Sequence, residues 1–517
     1  MTARSRTWIG FAAMCIGMFM AILDIQVVAS SLTTIEQALR ISTDSMSWIQ
    51  TAYLIAEVIA IPLTGWLTRA LSLRHMFVLA TLGFTLASLG CAMCVTLEPL
   101  LVLRVVQGFC GGMLIPAVFT SAFTQLPDKD RVLATMIAGT FAMIAPTIGP
   151  AVGGYLTVTL SWHWIFLVNV VPGLAVSLLV WLFVERVPVR FGEFARINYA
   201  TILLAAVFLG SLEILLKEAP KRNWQGTYVM VLLGICAASA AACILLCLTT
   251  AHPFVNLRRF RDLSFALGCA LSFVFGAGVY GATYLVSVFL GLVRGHTPLE
   301  IGEIMMVAGA VQLLTAPLAA WLEIRMDPRL LTAIGFGVFG LGLFINGFET
   351  SATDFDGLFW PQVLRGASIM LCLLPATRLA LERWPQMEIP DASALFNLMR
   401  NLGGAIGIAV IDTVLEQRTP GHVDQLIARL QARDVDAALQ VGIPVKQFLN
   451  APPGPVDELT KAILAPMVKR AALAQSFNEA WILIAVLFAL SLLALPLMRR
   501  AHIPDSAMGP GTDHAIH

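Results

Sequence analysis

Four ionisable side chains stand inside long apolar runs of this sequence: Asp24, Glu57, Arg104 and Glu213. A charge in hydrocarbon costs roughly 2.5–3.5 kcal/mol on insertion scales, so such a group faces a protein interior and has a task there. A carboxyl group takes up and releases protons, which suits Asp24 to carrying one across a barrier. A structural Asp, capping a neighbouring helix or paired with Arg104, is the competing reading. Arginine keeps its proton in proteins, so Arg104 carries none. Beside a carboxylate it sets that group's proton affinity, or it forms a fixed ion pair. Glu57, in the middle of its run, reads as a second protonation site or a substrate-charge contact, against a plain inter-helix hydrogen bond. Glu213 lies one turn from Lys217, and an interfacial i,i+4 pair is the simpler reading; Asp412 stands near the end of a later run. Trp48 and the set Gln26, Gln50, Tyr53, Gln107, Tyr280 and Tyr284 are candidates to line a mixed polar and aromatic cavity. Trp and Tyr near run ends also form interfacial belts.

The elements that position these residues are helices in lipid. Of 517 residues, 58% are hydrophobic and 13% charged, about half the charged share of a soluble domain, and mean hydropathy is +0.81. Runs long enough to span a bilayer begin near Trp8, Ser47, Met76, Pro99, Leu133, Trp164, Ala200, Thr227, Leu263, Ile301, Leu330, Leu358, Ala392 and Asn478. That is about fourteen spans at roughly 20 residues each. The first run is itself long enough to span and no small-residue cleavage site follows, so no signal peptide is expected. A net charge of +1 points to no nucleic-acid partner. The nine cysteines sit in apolar blocks and read as small buried hydrophobes. Cys91 and Cys94 form a CxxC without a second pair, so no metal site is expected. The eight histidines are scattered, with no DDxxD or HxxxH cluster, which argues against a multispan membrane enzyme.

With the N-terminus inside, one set of loops gathers Arg69, Arg74, Lys129, Arg131, Arg186, Arg190, Arg196, Arg258, Arg259, Arg261, Arg325, Arg329 and Arg383, with Arg499 and Arg500 on the tail. The opposite loops hold few, such as Arg40, Lys221 and Arg294. This positive-inside bias predicts that both termini are cytoplasmic. The connection over residues 418–477 is polar and long, with a helical-looking VDQLIARLQARDVDAAL and a Pro-rich APPGP. It reads as a solvated helical loop on the outer side or as a docking surface.

An internal repeat is also visible. IPLTGWLTRALSLR from Ile61 and APLAAWLEIRMDPR from Ala316 align without gaps, so Pro62, Leu63, Trp66, Leu67 and Arg74 recur as Pro317, Leu318, Trp321, Leu322 and Arg329. LRVVQG around Arg104 is echoed by VLRG around Arg365, each followed by a proline (Pro116, Pro375). Repeated halves that rock against each other are a transporter signature. The predicted layout is a six-helix half over residues 1–185, two inserted spans over 186–262, and a second six-helix half over 263–499. The tail occupies 500–517.

These strings resemble the major facilitator superfamily. GWLTRALSLR, with Gly65, Arg69 and Arg74, sits where that family carries its inner gating loop between spans two and three. LLVLRVVQG, with Arg104, Gln107 and Gly108, is similar to its fourth-span motif. APTIGPAVGG, with Gly149, Pro150, Gly153 and Gly154, resembles the fifth-span antiporter motif, expected to form a tight seam between spans five and eight of a twelve-span core. WHWIFLVNVVPG from Trp162 and RNLGGAIG from Arg400 are typical of the fourteen-span drug:proton antiporter branch, the EmrB/QacA type. The resemblance implies an all-α integral membrane protein of the major facilitator fold, two six-helix pseudo-repeats plus two extra central helices. It further implies export of hydrophobic or amphipathic small molecules by alternating access, driven by the proton gradient without a cofactor, with Arg104 as proton-relay arginine. The expected site is the inner membrane, with a periplasmic adaptor and an outer-membrane channel where the source is Gram-negative. A dedicated exporter of one solute, such as a siderophore, aromatic acid or metabolite, is the alternative. Two departures stand out. The family's loop has Asp where this chain has Arg69 and Gly where it has Ser72. The first-span motif LDxTxVNVALP becomes LDIQVVASSLT, which keeps Asp24 and loses the Asn and Pro.

Overall fold

In lipid every backbone N–H and C=O needs a partner within its own segment, so long apolar runs become helices. The computed structural model describes residues 3–190, 192, 198–250, 253–450 and 458–497. Arg196, the APPGP stretch and the tail with Arg499 and Arg500 lie outside the described residues. The first group of helices is α1 (Ala3–Leu39), α2 (Thr43–Leu71), α3 (Leu73–Ala92), α4 (Leu97–Thr124), α5 (Asp128–Thr159), the single turn α6 (Trp164–Leu167) and α7 (Val170–Phe183). Next come α8 (Tyr199–Glu218) and α9 (Thr227–Thr249). The remainder is α10 (Leu263–Phe289), α11 (Pro298–Arg325), α12 (Pro328–Asn346), α13 (Phe355–Leu381), α14 (Ile389–Gln431), the short α15 (Val435–Val441) and α16 (Val445–Asn450), and α17 (Glu458–Ser491). Thirteen of the described helical segments are long and apolar enough to span a membrane. The bent α5, turning by 47° between Pro146 and Ile148, brings the number to fourteen. This matches the expected spans.

Two bundles and a pair form. In the first, α4 packs on α2 and α3, α5 on α1, and α7 on α3 and α1. In the second, α10 packs on α14, α13 on α11 and α12, and α17 on α14 and α12. Helices α8 and α9 pack on each other, and α8 lies along α2. Their other faces expose Leu203, Val207, Met230, Val231, Ile235 and Leu245, apolar side chains that suit lipid and not water. The bundles meet where α5 lies against α11 and where α2 and α4 lie against α14. The repeat is visible in the helices: Pro62 and Pro317 interrupt α2 and α11, and Pro116 and Pro375 interrupt α4 and α13.

Close helix approach needs small residues. A Cβ on Gly108 would lie 2.2 Å from the Tyr53 carbonyl oxygen, and one on Gly403 of the RNLGGAIG string 1.9 Å from that of Phe273. Those two glycines weld α4 to α2 and α14 to α10. The turn from α2 to α3 places Ser72 at φ +70°, a backbone region that glycine adopts without strain. Ser72 is the position at which the resembling family has Gly.

The polar connection after residue 418 is helical, as its sequence suggests, but it is largely an extension of the flanking spans. Helix α14 runs on without a break into this segment as far as Gln431, 43 residues in all, about 65 Å at 1.5 Å per residue and twice the thickness of a hydrocarbon core. The last span, expected to start near Asn478, belongs to a helix that begins at Glu458. Leu426, Ala437, Val441, Val468, Ala471 and Ala472 form a small apolar core between the two protruding helices and α15. The Leu- and Ala-rich composition of this stretch favours helix once that core exists.

Candidate functional site

The ion pair at the centre of the first bundle is wholly buried. Arg104 of α4 donates from Nη1 to Asp24 Oδ2 of α1 at 2.5 Å, and both side chains are 0% exposed. The other Asp24 oxygen, Oδ1, accepts from Gln107 Nε2 at 3.0 Å and from Asn169 Nδ2 at 2.9 Å. Both amides also donate to Ser88 Oγ of α3, which in turn donates to the Phe166 carbonyl. Arg104 reaches the Ile49 carbonyl through Nε at 3.2 Å and Gln107 Oε1 at 2.8 Å. Its guanidinium carbon lies 4.3 Å from the Tyr53 ring centroid, a cation–π contact on a face where Nη2 has no hydrogen-bond partner. The carboxylate therefore has three donors, and the cation is held by side chains or backbone of α1, α2 and α4.

Asn169 is in place because the sixth span is broken. After the single turn α6 the chain tightens, Asn169 N–H bonding to the Phe166 carbonyl, and α7 restarts with Gly173 N–H bonding to the Asn169 carbonyl. That break turns an amide toward Asp24. Asn169 and Ser88 were not among the sequence candidates. Asn169 lies within WHWIFLVNVVPG, and a lone amide in an apolar string was the available signal.

The other candidates are spread more widely. Glu57 is buried on α2, with its backbone close against Gly112 of α4. Lys217 does not pair with Glu213: among the described residues no ion pair joins them, and Lys217 Nζ donates to Ser47 Oγ at 3.0 Å and Thr51 Oγ1 at 2.5 Å on α2, 4.9 Å from the Trp48 ring centroid. Tyr53 and Gln107 are fully buried in and beside the ion-pair network. Gln26 backs on Gly149, and Gln50 is half-buried. Tyr280 donates to Asn401 Oδ1 at 3.4 Å, and Tyr284 to Asp412 Oδ1 at 2.5 Å. A small cavity of about 30 Å³ opens instead between α5 and the second bundle, and none of the six cavity candidates is among its lining residues.

The glycine motif also faces elsewhere than expected. A Cβ on Gly149 would lie 2.3 Å from Gln26 Cβ, and one on Gly153 2.2 Å from Ser30 Oγ. These two seal α5 to α1, and not to the eighth span of a twelve-span core, which is α11. Contact with α11 runs through Ala151, 3.3 Å from where a Cβ on Gly302 would be, while Gly154 has open space. Pro150 is within the bent helix.

A second ionic cluster closes the end of the molecule where α2 turns into α3. Arg69 of α2 pairs with Asp391 Oδ1 in the first turn of α14, and Arg259 pairs with Asp391 Oδ2 at 3.2 Å and Glu388 at 3.1 Å. Gly65 admits Asp391 against α2, since a Cβ there would lie 2.5 Å from its Oδ1. Ser393 Oγ donates to the Pro116 carbonyl at 3.0 Å, tying α14 to α4 as well. Arg74 takes no part; it stacks on Trp181 at 4.4 Å. The carboxylate that the loop itself lacks is thus supplied by α14 of the facing bundle.

Comparison with known proteins adds the relationships. The family described as Major Facilitator Superfamily matches residues 14–408. The chain is 38% identical over 420 residues to the colistin resistance protein EmrB of Acinetobacter baumannii, covering 81% of this chain and 82% of that protein. It is 28% identical over 417 residues to the multidrug export protein EmrB of Escherichia coli, covering 80% and 81%. Among solved structures, the human organic anion transporter MFSD10 (TETRAN) superposes with a TM-score of 0.58 at 12% identity, over 95% of this chain and 99% of that one. At that identity the likeness is one of fold.

Proposed function

This chain belongs to the Major Facilitator Superfamily, and from that premise we propose that it exports hydrophobic or amphipathic small molecules in exchange for protons, by alternating access. The observation that carries the proposal is the Asp24 carboxylate, buried at 0% exposure and held by Arg104, Gln107 and Asn169. Ionised, it fastens α1 to α4 and to the restart of the sixth span. Protonated, it loses its charge attraction to Arg104, and a buried cation left without its partner destabilises its surroundings by about 3–5 kcal/mol. One proton is thereby enough to change which arrangement of the helices is favoured. Glu57 is proposed as a further polar station on α2.

The positive-inside bias supports an inner-membrane orientation with both termini cytoplasmic. In that orientation the Arg69–Asp391–Arg259 cluster is a latch on the cytoplasmic side, with residues 1–185 and 263–499 as the moving halves and 186–262 as an inserted pair. The protruding α14–α17 helices then stand on the outer side as the contact surface for an adaptor. The two EmrB relatives, by their names a colistin resistance protein and a multidrug export protein, support a xenobiotic cargo. The test is uptake of a fluorescent amphiphile into inverted vesicles that contain the protein. An imposed inward-acid pH gradient drives uptake if the proposal holds, and uptake indifferent to the gradient overturns it.

A further inference from the structure

We propose that the cavity between α5 and the second bundle is a recognition site for the anionic head of an amphipathic substrate, with Arg365 as the recognising cation. This deepens the export reading and rests on it for calling the ligand a substrate. The cavity has about 30 Å³ of free space, room for a small polar headgroup and not for a whole amphiphile. Its apolar wall includes Met143 and Pro146 of α5 and Phe339 of α12, and its polar wall is Gln312 of α11 with Gln362 and Arg365 of α13.

Those three polar side chains are all more than nine-tenths buried: Gln312 is 0% exposed, Gln362 1% and Arg365 6%. Several of their hydrogen-bonding atoms are buried without a partner. Among the described residues, Arg365 Nε and Nη1, both Nε2 and Oε1 of Gln312, and Gln362 Oε1 have no hydrogen-bond partner. A buried donor left unmade costs about 1–3 kcal/mol, so this is an arrangement that a ligand completes. Arg104, at the equivalent place in the sequence repeat, shows the completed counterpart, with Asp24 on its guanidinium. No helix of the second bundle supplies Arg365 with such a carboxylate. Glu349 is the acid whose field reaches Arg365, but among the described residues no ion pair within 4.0 Å joins them, and Glu349 does not line the cavity. Two guanidinium donors and the Gln312 amide facing apolar walls fit a sulfonate or carboxylate carrying a hydrophobic body.

The probes are two molecules of one skeleton: 1-anilinonaphthalene-8-sulfonate, an amphipathic anion, and N-phenyl-1-naphthylamine, which lacks the sulfonate. Binding is measured by equilibrium dialysis against the full-length protein in lipid nanodiscs, with empty nanodiscs subtracted and no pH gradient. The expected result is that the anion binds at least 10-fold tighter than its neutral analogue. A charge-assisted hydrogen bond of about 1.5–3 kcal/mol makes this preference about 10–150-fold. Arg365→Gln abolishes the preference and leaves the neutral probe's affinity within about 2-fold. Glu349→Gln, which removes the competing acid, strengthens anion binding. If Arg365→Gln does not yield a monodisperse protein, Gln312→Leu is the second reading, and it weakens the anion alone. Equal binding of both probes, as for a cavity that holds only water, overturns the proposal. So does a preference that survives Arg365→Gln or, where that variant fails, Gln312→Leu. Because no gradient is applied, anion selectivity without gradient-driven uptake would fail the export reading alone, and the converse would fail this one alone.

Discussion

Replacing Asp391 by Asn should open the end of the molecule at which α2 turns into α3. Asp391 is the carboxylate shared by Arg69 and Arg259, with side chains 8%, 21% and 5% exposed. Its neutralisation removes the carboxylate that joins the two guanidinium groups, leaving Arg259 with Glu388 and the α2–α14 contact without this charge pair. Removing one member of a buried ionic cluster costs about 3–5 kcal/mol, and the partial exposure of Arg69 places this case near 3 kcal/mol. That penalty falls on the conformation in which α2 touches α14, and 3 kcal/mol is about a 150-fold change in population. A conformer favoured about 100:1 becomes the minor one. The assay is the distance between spin labels at Lys129 and Met387, two exposed positions at this end on opposite bundles, in a cysteine-free background by pulsed electron resonance. Wild type should give one short distance and Asp391→Asn a dominant longer one. The double exchange Arg69→Asp with Asp391→Arg should restore the short distance only in part, because Arg259 would then face an arginine. An unchanged distance distribution in Asp391→Asn would refute the latch.

Three other predictions follow from the packing and the hydrogen bonds. Gly153→Ala should lower the thermal midpoint, since the new Cβ meets Ser30 Oγ and the Val27 carbonyl and overpacking costs about 1–3 kcal/mol, whereas Gly154→Ala should be silent because nothing lies within 4 Å of its added Cβ. Differential scanning fluorimetry distinguishes them, and equal effects would remove the assigned α1–α5 seam. Asn169→Ala deletes one donor to the Asp24 carboxylate and should cost about 1.5–3 kcal/mol as a charged hydrogen bond; unaltered stability and unaltered gradient-driven uptake would show that the amide is idle. Asp434 caps α15 through the N–H groups of Asp436 and Ala437, and the Arg429 guanidinium holds its carboxyl below the usual range. The cap is therefore present at neutral pH and is lost only as pH falls through that lowered value. Asp434→Ala should speed amide exchange in residues 435–441 at neutral pH, and unchanged exchange there would show that the cap is idle.

How far the sequence reaches depends on whether a residue's chemistry conflicts with its local surroundings. Asp24 and Arg104 were legible because each is a charge in an apolar run, and the structure brings them within 2.5 Å. The spans were legible because lipid demands continuous apolar length. Asn169 and Ser88 passed unnoticed because neutral polar side chains are common in such spans, and only the broken sixth helix turns the amide toward the carboxylate. Gln312 and Gln362 escaped for the same reason, so the aromatic candidates Tyr280 and Tyr284 were preferred, and these bond to Asn401 and Asp412. Asp391 carries no signal in the sequence, since an acid in a helix's first turn is ordinary; its role depends on α14 lying against α2, a contact between residues 322 positions apart. The helical character of the polar segment after residue 418 is legible in VDQLIARLQARDVDAAL; what the sequence does not show is that α14 and α17 run on into it and bury Leu426, Val441 and Val468 in a small core of their own.

The central claim is that export and proton movement are one process through Asp24. It is tested most directly by reversing the drive. Proteoliposomes containing a lumenal pH dye are given a gradient of a transported amphiphile at equal pH on both sides. Wild type should acidify or alkalinise the lumen in the direction opposite to the substrate flow, and Asp24→Asn should move no protons. Proton flux that persists in Asp24→Asn, or substrate movement in wild type without any pH change, would contradict the account.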